Sequence, residues 1–138
     1  MTNNPDIDTL TKLYTIEAKL KYGELPIYLQ DGFLGYGWRD LNGNAIYLSD
    51  NTPDVDDDFI SCQFVSIKGR LTKKCVFIKT YDLAVWLKDT LQKRMVKNYP
   101  SITILVRQVN HHDLSYRKKK ALGEAQDNDE KIKTLMNS

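Results

Sequence analysis

The sequence predicts an α+β domain: a mostly antiparallel sheet of about five or six strands, two main helices packed on one of its faces, and a peripheral carboxyl-terminal helical tail. Three observations carry that prediction. Two apolar runs, Phe59–Ile67 and Thr72–Ile78, flank Lys68-Gly69-Arg70, and strand alternation puts Ile60, Cys62 and Phe64 together in the first and Cys75 with Phe77 in the second. Asn42-Gly43 separates Trp38–Leu41 from Ala45–Leu48, a strong short-range hairpin signal. Thr9–Tyr22 and Asp82–Asn98 carry apolar residues at helical spacing.

At the amino end, Asp8 can cap a helix over Thr9–Tyr22 whose stripe is Leu10, Leu13, Tyr14, Ile16 and Leu20. Gly23 supplies a left-handed stop, and Pro26 opens a short strand, Ile27–Gln30. The run Lys21-Tyr-Gly-Glu-Leu-Pro-Ile-Tyr-Leu-Gln-Asp31, set behind that helix, resembles the opening of many small uncharacterised phage and prophage proteins. Those share a helix, a Gly-(Asp or Glu)-Leu-Pro junction and a first strand, and have no single activity. The resemblance implies a mobile-element origin and carries over no functional residue.

Gly32–Asp40 combines three glycines with Phe33, Leu34, Tyr36 and Trp38. If extended, Leu34, Tyr36 and Trp38 share a face, while Gly35 and Gly37 leave the other bare. This predicts an aromatic edge strand on the first helix, or a contact surface of Phe33, Leu34, Tyr36, Trp38 and Arg39 for a partner or for stacked bases. A nucleotide loop is a poor reading: the third Gly of the dinucleotide fingerprint is missing and no Gly-Lys-Ser or Gly-Lys-Thr occurs. Ser49–Asp58, with Asp50, Asp54, Asp56, Asp57 and Asp58 around Pro53, reads as a solvated linker. A calcium loop would need a Gly at its turn and a closing Glu.

In the central hairpin, a two-residue turn at Lys68-Gly69 sets Cys62 opposite Cys75, and a four-residue loop through Leu71 sets Phe64 opposite Cys75. Either way Ile60, Cys62, Phe64, Cys75 and Phe77 make one interior face, in which reduced thiols serve as small hydrophobes and a cross-strand disulfide is the alternative. Asp82 can cap a helix through Asn98 with the face Leu83, Ala84, Leu87, Leu91 and Met95, and with Trp86 at its shoulder beside Lys93 and Lys97. Pro100 ends it, and Ser101–Val109 reads as a central strand covered on both faces. Asp113 can cap a short helix, Leu114–Leu122, that bears Arg117, Lys118, Lys119 and Lys120. Gly123–Asn128 reads as flexible, and Asp127 with Glu130 as a capping box for a last turn. The expected organisation is one domain over 1–122 and a weakly helical tail over 123–138.

At 138 residues, 41% hydrophobic and 28% charged, the composition is that of an ordinary soluble domain. No run approaches a membrane span and the polar opening lacks signal-peptide regions, so a cytoplasmic location is expected, the host's if the chain is phage-encoded. The net charge of +2 conceals −7 over residues 1–58, +11 over 59–120 and −2 over 121–138. Clustered bases can make a phosphate-binding surface, unless the acidic and basic parts lie side by side and neutralise. His111 and His112 are the only histidines; no zinc spacing is present, and no nucleophile is marked out for a His112–Asp113 pair. The expectation is therefore no enzyme, no metal and no cofactor.

Three functional readings follow. The first is a small non-enzymatic binding protein, plausibly phage-encoded, that inhibits or occupies a host or viral macromolecule in an anti-defence role, with Phe33–Trp38 as anchors. The second is a nucleic-acid-binding module using Lys68, Arg70, Lys73, Lys74, Lys93, Lys97 and Arg117–Lys120, with Trp86 or Trp38 stacking on bases. The third is a protein that sequesters a nucleotide-like ligand in an aromatic pocket between subunits, for which a homodimer would be the natural form.

Overall fold

The computed structural model describes residues 11–20, 25–30, 64–67, 69–97 and 99–137. Leu13–Lys19 is strand β1 rather than part of a helix over Thr9–Tyr22. The supposed stripe satisfies two periods at once, because Tyr14, Ile16, Ala18 and Leu20 also alternate. Those four turn to one side of the sheet, and Leu13 turns to the other. Pairing decides between the periods. β1 lies antiparallel to β4, Thr103–Val109, in register from Leu13 opposite Val109 to Lys19 opposite Thr103. Thr15 and Ile16 are β-branched and suit that pleat, so tertiary pairing overrides the local helical preference.

Strand β2, Ile27–Leu29, falls where the sequence placed it and pairs antiparallel with β1, Glu17 opposite Tyr28. Strand β3, Phe64–Val65, pairs antiparallel with β2, Phe64 opposite Leu29. Among the described residues the sheet thus has four strands in the order β3-β2-β1-β4, all antiparallel, against the five or six expected. β4, expected to be central, is at the edge of the sheet among the described residues, and its Leu105 is 46% exposed.

Among the described residues the two apolar runs do not pair with each other. Instead, Cys75 bridges Gln30 and Ile78 bridges Tyr14, so the second run closes onto the ends of β2 and β1. Val76 N donates to Leu29 O at 2.9 Å, Tyr14 and Ile78 exchange two 2.8 Å bonds, and the buried Thr15 hydroxyl donates to Val76 O. Side chains of this run alternate between two cores. Val76 and Ile78 join Phe64 on one side of the sheet, whereas Cys75 and Phe77 join Leu13, Leu71 and Leu114 on the other. The single interior layer expected to unite Phe64 with Cys75 and Phe77 is therefore split across the sheet. Cys75 is buried and carries a free thiol. Ile60, Cys62, the Asn42-Gly43 hairpin, the Gly32–Asp40 aromatics and the Ser49–Asp58 loop lie outside the described residues.

Helix α1, Tyr81–Met95, buries Leu83, Ala84, Leu87, Leu91 and Met95 against the first core, as its spacing predicts. Its cap is Thr80, and Asp82 sits in the first turn. Trp86 packs half-buried at the margin of that core. Helix α2, Lys118–Met136, is one continuous element of 19 residues. It therefore starts later than the helix expected at Leu114 and runs through Gly123–Asn128, the stretch read as flexible. Its inward stripe is Ala121, Ala125, Asn128, Asp129 and Ile132, spaced for a helix but small or polar in character. Asn128 Nδ2 donates to Phe77 O at 2.8 Å, and Asp129 accepts from Lys79 N at 3.0 Å and from the Thr80 hydroxyl at 2.7 Å. Asp127 and Glu130, expected as a capping box, are exposed in mid-helix. The helices are not both on one face: Ala121 and Ala125 cover the second core while Ile132 reaches the first, beside α1. Among the described residues no helix is long and apolar enough to cross a membrane.

Candidate functional site

The part of the structure that best gathers the candidate side chains is a basic edge built from two distant segments. Gly69, at φ +93°, takes the left-handed conformation that lets the chain turn before Arg70. Leu71 then plugs into the second core and forms a parallel bridge with Leu114. Leu71 N donates to Asp113 O at 2.6 Å, Ser115 N donates to Leu71 O at 2.9 Å, and Arg70 Nε donates to His112 O at 3.0 Å. Cys75 N returns to Thr72 O at 3.1 Å, and Lys74 N to the Thr72 hydroxyl at 3.2 Å. With Leu71 and Cys75 buried at both ends of this turn, Lys73 and Lys74 have nowhere to go but solvent.

The partner segment continues from Leu114 into α2. Tyr116 lies on Phe77, ring centroids 6.1 Å apart, and its hydroxyl donates to Glu124 at 2.8 Å. Arg117 is the helix cap; Lys119 and Lys120 are exposed in the first turn, and Lys118 is 7% exposed. No acid occupies that turn and no side chain caps the helix, so lysines crowd the positive end of the helix dipole. Asp113, the acid nearest in sequence, is turned to Arg107 Nη2 at 3.5 Å and Asn110 N at 3.1 Å. Arg70, Lys73 and Lys74 are thus set beside the segment leading to Arg117–Lys120, without a carboxylate from either stretch free to cancel them.

Other predicted site residues lie elsewhere. Lys93 is exposed on α1 and Lys97 in the turn just past it, and α1 packs on the opposite side of the sheet, so the predicted basic patch is divided. Phe33, Leu34, Tyr36, Trp38, Arg39 and Lys68 lie outside the described residues.

A second cluster escaped sequence reasoning. On the sheet face opposite α1, Arg107 Nη1 donates to the Tyr28 hydroxyl at 2.7 Å and lies 3.7 Å from Glu17 Oε1, while its guanidinium sits 5.7 Å from the Tyr28 ring centre. Two carboxylates, Glu17 and Asp113, flank this one cation. Burial pushes the Tyr28 hydroxyl up, helped by Glu17 and opposed by Arg107. Burial likewise pushes the Cys75 thiol up to about 11, so at neutral pH it stays protonated and a weak nucleophile. The only sequence signal was a charged residue inside each of two apolar strands, Glu17 and Arg107. Among the described residues no three His, Cys, Asp or Glu side chains gather as metal ligands. No protein-family model, no curated protein and no solved structure matches this chain.

Proposed function

We propose that the chain is a small non-enzymatic binding protein that occupies a macromolecule, and that the macromolecule is nucleic acid engaged at its phosphates by the basic edge. The observation that carries this reading is the Leu71–Leu114 bridge, which brings Arg70, Lys73 and Lys74 alongside the segment entering Arg117–Lys120. Exposed bases held at fixed spacing by buried leucines suit a polymer of regularly spaced charge, because each phosphate neutralised releases a counterion. The reading is also compatible with a mobile-element origin, in which such a protein would mask viral or host nucleic acid.

The test is fluorescence anisotropy with a labelled single strand and a labelled duplex across a salt series. Each neutralised phosphate contributes about −0.7 to the log–log slope for a single strand and about −0.9 for a duplex. Engagement of three or four of the exposed bases therefore gives a slope of about −2 to −4. The variant Lys73→Ala/Lys74→Ala/Arg117→Ala is expected to flatten it by about 2. A slope near zero, or a variant that binds like the parent, removes nucleic acid as the partner. Equal competition by polyglutamate would mean that charge alone is recognised and that an acidic protein is the better candidate.

A further inference from the structure

The outer edge of β4 presents a different surface from the basic edge. Among the described residues β4 pairs with β1 on one side only. Ile104 N donates to Gln92 Oε1 at 2.8 Å and Gln92 Nε2 donates to Ile102 O at 2.9 Å, so the main chain of these even-numbered residues points away from β1. Backbone groups alternate in direction along a strand, which turns the N–H and C=O of Val106 and Gln108 outward as well. Among the described residues those groups meet no hydrogen-bonding partner.

Edge strands are usually protected by lysine, proline or a bulge. Thr103–Val109 contains neither lysine nor proline, and Arg107, its one charge, is turned to Tyr28, Glu17 and Asp113. The strand is also self-complementary. Val106 is its middle residue, so a two-fold axis there sets Val106 against its own copy and Ile104 against Gln108 of the copy. The same axis lays the stem of each Arg107 over the other chain's exposed Leu105. One obstacle stands in this arrangement: the Gln92 amide holds the Ile104 N–H that the copy's Gln108 carbonyl would need.

We infer that Gln92 is an edge guard: reaching from α1, its side-chain amide takes the place of a neighbouring strand at Ile102 and Ile104 and keeps β4 from pairing antiparallel with β4 of a second copy. The guard works by satisfying the edge rather than by charging it. Any segment that displaced Gln92 would gain two backbone bonds at once.

The test compares the parent with Gln92→Ala by sedimentation velocity over a hundredfold concentration range, together with amide hydrogen exchange. The parent is expected to stay monomeric, with the Ile104 amide exchanging at least tenfold more slowly than those of Val106 and Gln108. Gln92→Ala is expected to dimerise with concentration and to gain protection at Val106. Adding Val106→Pro, which removes an outward N–H and leaves the bonds between β4 and β1 in place, is expected to restore the monomer. A folded Gln92→Ala that stays monomeric at every concentration overturns the inference, as does a parent that already dimerises with β4 protected. Should Gln92→Ala fail to fold, exchange in the parent still decides: an Ile104 amide as fast as that of Val106 overturns the guard, and a slow one supports it.

Discussion

Replacing Asp129 with alanine removes the acceptor shared by Lys79 N, at 3.0 Å, and the Thr80 hydroxyl, at 2.7 Å. A hydrogen bond to a charged group contributes about 1.5–3 kcal/mol, so two would sum to about 3–6. Lys79 and Thr80 lie at the surface, where water can take over their donors, whereas the carboxylate itself is only 5% exposed. The expected loss is therefore about 2–3 kcal/mol, a large share of the about 5–15 kcal/mol that holds a domain together. Part of it is electrostatic, since Asp129 places a negative charge beside the amino end of α1, whose cap Thr80 makes no side-chain bond to its own helix. Urea unfolding followed by circular dichroism measures the change, with the slope against denaturant unaltered. Thr80→Ala combined with Asp129→Ala should show a coupling of about 1–2 kcal/mol in a double-mutant cycle, and Lys74→Ala combined with Asp129→Ala should be additive. The reasoning fails if Asp129→Ala lies within about 0.5 kcal/mol of the parent, a change typical of featureless surface sites, or if it and Thr80→Ala simply add.

Two further expectations follow from the cores. Leu87 is fully buried against the sheet, so Leu87→Ala should cost about 2–5 kcal/mol, read as a lower urea midpoint; a loss under about 1 kcal/mol would contradict its burial. At alkaline pH the Cys75 thiol is held up to about 11 in the folded chain against 9.0 for the free group. Between those values the unfolded chain surrenders a proton that the folded chain keeps, so stability falls as pH rises through the window, by at most about 2.7 kcal/mol. Tyr28, raised in the same direction, adds to the decline. Urea midpoints from pH 8 to pH 11 should drop for the parent and drop less for Cys75→Ala, and equal profiles would refute the assignment to the thiol.

What could be read from the residues alone depended on whether one period fitted. α1 was legible because Leu83, Leu87 and Leu91 admit only a helix, and β2 because Pro26 and the short apolar run Ile27-Tyr-Leu admit little else. β1 was misread because its apolar residues fit both spacings and the deciding partner, β4, lies far along the chain. α2 was misread for a different reason. Its buried stripe contains Asn128 and Asp129, whose polarity suggests a loop until Phe77, Lys79 and Thr80 supply their partners. Of the basic residues, the sequence identified the types but not the grouping. Only the Leu71–Leu114 bridge separates Arg70, Lys73, Lys74 and Arg117 from Lys93 and Lys97 on the far side of the sheet.

The reach of the contacts around β1 also sets how the chain must fold. Thr15 bonds to Val76 across 61 positions, and Tyr28 to Arg107 across 79. Closing loops of that length costs entropy before any pairing returns it, which puts the chain among slow topologies that take milliseconds to seconds rather than microseconds. While β4 is still arriving, β1 is an apolar ribbon with one side bare. Kinetic competition between closure and sticking to another chain is therefore sharpest at the strand that comes first in sequence.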